Sequence, residues 1–192
     1  MTADERGRSA RGSARRAALL QAAVTLLAER GVAAVSHRAV AQQAGLPLAA
    51  TTYYFASLDA LLVEAVRALA ALWVDRARSA LEALPARLDG PRALAEAAVA
   101  VAVPVGPDGD DLPAMYDRYL EAGRSPALQP VVQEYDAGLD ALLAQVLARG
   151  GQPPGRARLL LAVVDGAALR ALAEGHPPRA AAVAAVQDLV TP

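Results

Sequence analysis

Apolar residues recur every three to four positions along most of this chain, with glycine, proline and short polar breaks between the runs, and this predicts about nine helices. From about Ser13 to Arg30, Leu19, Leu20, Ala23, Val24, Leu26 and Leu27 form one stripe, and Gly31 ends the run where a left-handed residue is tolerated. Residues 1–12 carry too little apolar surface to bury and are expected to form a disordered arm in which Arg6, Arg8 and Arg11 are available to phosphates.

Ser36 to Phe55 predicts two short helices joined by a tight turn. The Ser36 hydroxyl suits an N-cap for a helix begun by His37 and Arg38, because it can accept from an unpaired N–H of the first turn. Ala39, Val40, Ala41 and Ala44 give that helix its small apolar contacts, and Gly45 stops it. Pro47 presets φ for a second helix ending near Tyr54. The spacing of Ala41 and Gly45 predicts close approach of the two helices, as a helix-turn-helix requires.

The remainder is expected to be helical throughout. A long stripe from Leu58 to about Leu84 includes Leu61, Leu62, Ala65, Val66, Leu69, Leu72 and Trp73, and Pro85 closes it. A helix over about Pro91–Val103 precedes the turn-rich V-P-V-G-P-D-G-D-D-L-P. Met115, Tyr116, Tyr119 and Leu120 lie at helical spacing before Gly123, and Ser125-Pro126 opens a helix running through Tyr135 to Gly150-Gly151. Two more follow, about Gly155–Glu174 and about Pro178–Val190.

Composition narrows the function classes. With 55% hydrophobic and 20% charged residues, a chain of 192 residues is globular. It has no cysteine and two distant histidines, which leaves no disulfide framework, no thiol nucleophile and little material for a metal centre, and no nucleophile–base pair is visible. An enzyme is disfavoured, and neither cofactor nor metal is expected. No apolar run reaches the roughly 20 residues a membrane span needs, and the polar N-terminus lacks a signal core, so a cytoplasmic location is expected. The net charge of −1 conceals a split: residues 1–55 hold seven arginines and three acids, the rest twelve and seventeen. A basic front of this kind suits nucleic-acid binding.

R-x-x-L-L-x-A-A-x-x-L-L-x-x-x-G, then S-x-x-x-V-A-x-x-A-G-L and Y-Y-F-A-S-L-D-A-L-L, spanning about Arg16 to Leu62, resemble the N-terminal domain of the TetR-type family of bacterial transcriptional regulators. The resemblance implies an all-α protein: an N-terminal three-helix helix-turn-helix domain over 13–56, and a C-terminal helical ligand-binding and dimerisation domain over 57–192. It further implies a homodimer that binds a double-stranded DNA operator and releases it on binding a small-molecule effector. Three positions depart from the family pattern: Leu48 and Leu58 stand where lysines are frequent, and Thr52 where a tyrosine is common. The second reading helix is therefore uncharged, and its contacts must come from hydroxyls, terminal N–H groups and packing.

Arg16, Ser36, His37 and Arg38 are the expected backbone contacts, with Pro47, Leu48, Ala49, Thr51, Thr52 and Tyr53 completing the DNA set; Leu48, Ala49 and Thr51 suit thymine methyl groups. Tyr54 and Phe55 are expected in the core. Trp73, Met115, Tyr116, Tyr119 and Tyr135 are candidates to line an effector cavity, with Arg118 or Glu121 to orient the ligand, although plain core packing explains the same aromatics. Leu160, Val163, Val164, Ala167, Val183, Val186 and Val190 are the expected dimer interface. Asp165 lies within that apolar face, either buried and satisfied or facing solvent. The competing reading is a helical sequestering protein whose operator recognition is weak or lost.

Overall fold

The computed structural model describes residues 3–104 and 112–191, without the side chains of 3–10. Among these residues every regular element is helical: α1 (Ala3–Arg30), α2 (His37–Gln43), α3 (Leu48–Tyr54), α4 (Leu58–Ala83), α5 (Gly90–Ala102), α6 (Leu112–Gly123), α7 (Gln129–Arg149), α8 (Ala157–Glu174) and α9 (Pro178–Val190), with short 3-10 turns at Val32–Ala34 and Pro154–Arg156. The helical periodicity thus placed all nine helices. The backbone of α1 is helical ten residues before the expected Ser13 start; the arginines expected in an arm at 6 and 8 have side chains outside the described residues. Most of the expected break after Val103 also lies outside them.

The chain forms two compact units, one of residues 1–70 and 117–132, the other of 71–116 and 133–192. In the first, Leu19, Ala23, Leu27, Val40, Phe55 and Leu61 are each at most 2% exposed. Burying a large apolar side chain of this kind stabilises a fold by about 1.5–3 kcal/mol, so this small core holds α1 to the two short helices, neither of which would persist alone. In the second unit, Val101, Leu143, Val146, Leu147, Leu160, Val164 and Val186 form the core. Arg149 ends α7 and donates through Nη1 to the carbonyls of Leu81, in the last turn of α4, and of Leu84 just after it, at 2.8 and 3.1 Å, a cation placed at the negative end of the α4 dipole. No helix among the described residues is long and apolar enough to cross a membrane.

Candidate nucleic-acid interface and effector site

The turn between α2 and α3 is built as its residue types require. Ser36 is extended, and its Oγ accepts from the Ala39 N–H at 3.2 Å. Gly45 sits at φ +64, and the Leu46 N–H returns to the Ala41 carbonyl at 3.0 Å, closing α2. A Cβ on Gly45 would meet nothing within 4 Å, so glycine is needed there for its backbone conformation and not for the close helix approach its spacing suggested.

On α3 the two faces separate sharply. Thr51 is fully buried and its hydroxyl donates to the Leu48 carbonyl at 2.7 Å, which withdraws it from the DNA-contact set in which it was expected. Tyr53 is 81% exposed and Leu48 50%, with Ala49 and Thr52 also on the open side. The rings of Tyr53 and Tyr54 meet edge-on at 4.9 Å, which orients Tyr53 without burying it. Phe55 is buried as expected, whereas Tyr54 is only partly so.

Arg16 is committed elsewhere. Its Nη2 donates to both carboxylate oxygens of Glu64 at 2.6 Å, and its guanidinium lies 5.1 Å from the centre of the Phe55 ring. It ties α1 to α4, and its expected phosphate contact would require giving up that pair. Arg38 and Ser36 are exposed; His37 is half-buried, with Nδ1 enclosed and lacking a hydrogen-bond partner among the described residues.

In the other unit, Tyr116 on α6 is buried and its hydroxyl donates to Asp165 Oδ1 on α8 at 2.9 Å. Asp165 is therefore a half-buried acid with a hydroxyl partner on α6. Burial pushes its carboxyl above the usual range, the Asp136 charge adds to this, and the Tyr116 hydrogen bond partly offsets both. Burial also raises the Tyr116 hydroxyl, with the Asp165 charge and hydrogen bond next in size, so it stays a donor. Trp73 and Tyr135 meet edge-on at 5.8 Å. Of the expected effector residues, Trp73, Met115, Tyr116 and Tyr135 belong to this unit, and Tyr119 to the other. An open groove of about 660 Å³, lined in part by Leu72, Asp75, Arg76 and Arg179, includes none of them. Arg118 and Glu121, expected to orient a ligand, instead bond to backbone near the end of α1.

Two family models match in series: "Bacterial regulatory proteins, tetR family" over residues 19–65, and "Tetracyclin repressor-like, C-terminal domain" over 89–192. The chain belongs to the tetR family. It is a ligand-responsive, DNA-binding transcriptional regulator. Solved structures agree. The regulator is 35% identical to the multidrug binding protein EbrR complexed with imidazole, over 93% of this chain and 96% of that one, with a TM-score of 0.70. It is 38% identical to EbrR complexed with ethidium, over 92% and 98%, with a TM-score of 0.68. The TetR-family member SCO1917 from Streptomyces coelicolor A3 is 33% identical over 93% and 99%, with a TM-score of 0.63. No curated protein matches.

In the regulator's last two helices, four of the seven residues expected at the dimer interface are buried within the single chain. Leu160, Val164, Val186 and Val190 are at most 9% exposed within one chain, spent on packing α8 and α9 against their own unit. Val163, Ala167 and Val183 are half-buried. The open side of α8 instead carries Leu159, 49% exposed, and Leu169, 37%, with Ala162 and Gly166 between them. Sequence reasoning did not separate this exposed side from the buried one because α8 is apolar on both. The three- and four-residue spacing of 159, 162, 166 and 169 was the available signal, and a neighbouring apolar stripe masked it.

Proposed function

We propose that the regulator is a cytoplasmic homodimeric repressor that holds a palindromic operator through α3 and releases it on binding an aromatic organic cation. The observation carrying this reading is the divided face of α3, with Thr51 fully buried while Tyr53 is 81% and Leu48 50% exposed. A seven-residue helix that fixes one side in a core and leaves a tyrosine and a leucine uncovered on the other is shaped to enter a groove. Tyr53 and Thr52 would orient against phosphates, Leu48 and Ala49 against thymine methyl groups, Arg38 would supply charge from the start of α2, and His37 would lie beside it. The matched segments support residues 13–56 as the DNA-binding domain and 57–192 as the domain for effector and dimer.

The effector class follows from Asp165. A carboxylate pushed toward neutrality by burial, with a second acid adding to the cost, gains most from a ligand that brings positive charge, and the Trp73–Tyr135 pair offers ring faces for a flat one. EbrR has been solved with ethidium, proflavin and malachite green. Dimerisation would use the Leu159–Leu169 side of α8, so that each subunit presents one α3 to successive major grooves about 34–36 Å apart.

The test is a mobility shift of a duplex covering the DNA flanking its own gene, with and without ethidium. A shift that ethidium weakens several-fold or more, as couplings of roughly 1–3 kcal/mol allow, supports the proposal. Ethidium binding with no specific shift favours the second reading, a sequestering protein, to which the uncharged α3 lends some support.

A further inference from the structure

We infer that the open groove formed by α4, the end of α5 and the start of α9 is a second ligand site, built for an amphipathic organic anion with one acidic headgroup on an apolar chain. Its wall on α4 is made by Leu72, Asp75, Arg76, Ser79 and Ala80, whose three- and four-residue spacing puts them on one side of the helix. Ala100 near the end of α5, Pro104, and Arg179 in the first turn of α9 complete it. All of these residues belong to the same compact unit. None is shared with Trp73, Met115, Tyr116, Tyr135 or Asp165.

The charge of the groove is opposite to that of its surroundings. Residues 56–192 hold twelve arginines and seventeen acids, yet the groove collects two arginines and one acid. That acid is already engaged, since Asp75 Oδ1 accepts from Arg78 Nη1 at 2.7 Å. Arg179 is anchored at the rim, its Nη1 donating to the Val103 carbonyl where α5 ends, so this guanidinium is held in place before any ligand arrives. Arg76 is half-buried and makes no hydrogen bond or ion pair among the described residues. A guanidinium stripped of part of its water gains from a carboxylate, which its planar fork matches with two parallel bonds. The rest of the wall is apolar. Leu72 is 49% exposed, and Ala80, Ala100 and Pro104 add no polar side chain. A headgroup alone would leave this surface wet, whereas an attached hydrocarbon chain would cover it. A volume of about 660 Å³ leaves room for a chain of about ten carbons.

The site does not depend on operator binding, and isothermal titration of the full chain with decanoate below its micelle concentration tests it. Saturable binding of about one decanoate per chain is expected, about tenfold or more tighter than acetate or decyltrimethylammonium. Acetate keeps the headgroup without the chain, and decyltrimethylammonium keeps the chain with the opposite charge. Arg76→Gln should weaken decanoate about tenfold or more and Leu72→Gln about threefold or more. Arg87→Gln removes the same charge from a side chain that is 85% exposed outside the groove, and should change affinity less than about twofold. No saturable binding, equal affinity for decyltrimethylammonium, or the same loss in Arg87→Gln as in Arg76→Gln overturns the inference. Should Arg76→Gln melt well below the unaltered protein, Leu72→Gln decides: weakened decanoate binding upholds the site, and unchanged binding overturns it.

Discussion

The two reading helices and the two C-terminal helices are both pairs joined by a short connection, yet they resolve differently. In α2 and α3 each residue type has one use: Ser36 caps, Gly45 turns, Thr51 and Phe55 go inward, Tyr53 goes out. In α8 and α9 alanine, valine and leucine occupy most positions on every side, and only the fold decides which side is spent internally. A helix announces its buried face when a polar half contrasts with it; where the contrast is missing, periodicity gives the helix and withholds its orientation.

The largest expected effect separates conformation from crowding at the turn. Gly45→Val places a β-branched residue at φ +64 and should abolish specific duplex binding, a loss of about a hundredfold or more, with the dimer intact by light scattering. Gly45→Asn should keep most binding, since asparagine tolerates that region and nothing within 4 Å opposes its Cβ. Equal loss in both would restore close approach as the cause.

In the C-terminal pair the two sides of α8 should behave as different materials. Leu159→Glu with Leu169→Glu should convert dimer to monomer at micromolar concentration while the single-chain fold survives. Leu160→Ala, on the inner side, should cost about 2–5 kcal/mol of stability by denaturant titration and leave the interface chemistry untouched. A dimer that persists through the double substitution would place the interface elsewhere.

Within α3 the contrast sharpens further. Tyr53→Ala should weaken duplex binding about tenfold without altering Tm, whereas Thr51→Val should lose about 1 kcal/mol of stability through its hydroxyl bond and change binding little. Binding isotherms together with thermal melts decide between them.

The smallest effect concerns Asp165. Its folded value lies above its unfolded one, so at low pH, with both states protonated, there is no penalty; as pH rises the unfolded chain ionises first and stability falls until the folded carboxyl also titrates. Asp165→Asn keeps an acceptor for Tyr116 and removes that loss. The variant should melt higher than the unaltered protein near about pH 7, with the gap closing as pH drops below the ordinary carboxylate range, and should bind ethidium several-fold more weakly.

What the sequence made legible follows the same division. Helix-turn-helix geometry was readable because capping and turning are local, and Phe55 because an aromatic beside a capped helix has few places to go. The pairing of Arg16 with Glu64 was not, since an arginine leading a helix in a basic segment looks the same whether it meets phosphate or a carboxylate 48 residues away. Arg118 and Glu121 were noticed as charges among aromatics, but their partners are backbone atoms about 90 residues upstream, which no side-chain pattern encodes. Asp165 was recognisable as an anomaly on an apolar helix, and only the position of Tyr116 decided between its two readings.

The absence of any charged residue from α3 has a consequence for how selectivity and affinity respond to salt. Counterion release depends on how many phosphates are neutralised by cations, and with α3 proposed as the helix that meets the bases, those cations would lie outside it. Raising salt should lower affinity for every duplex by nearly the same factor, leaving the ratio between operator and random DNA almost flat. The head would divide two tasks, with arginine governing how long it stays on DNA and uncharged α3 governing where.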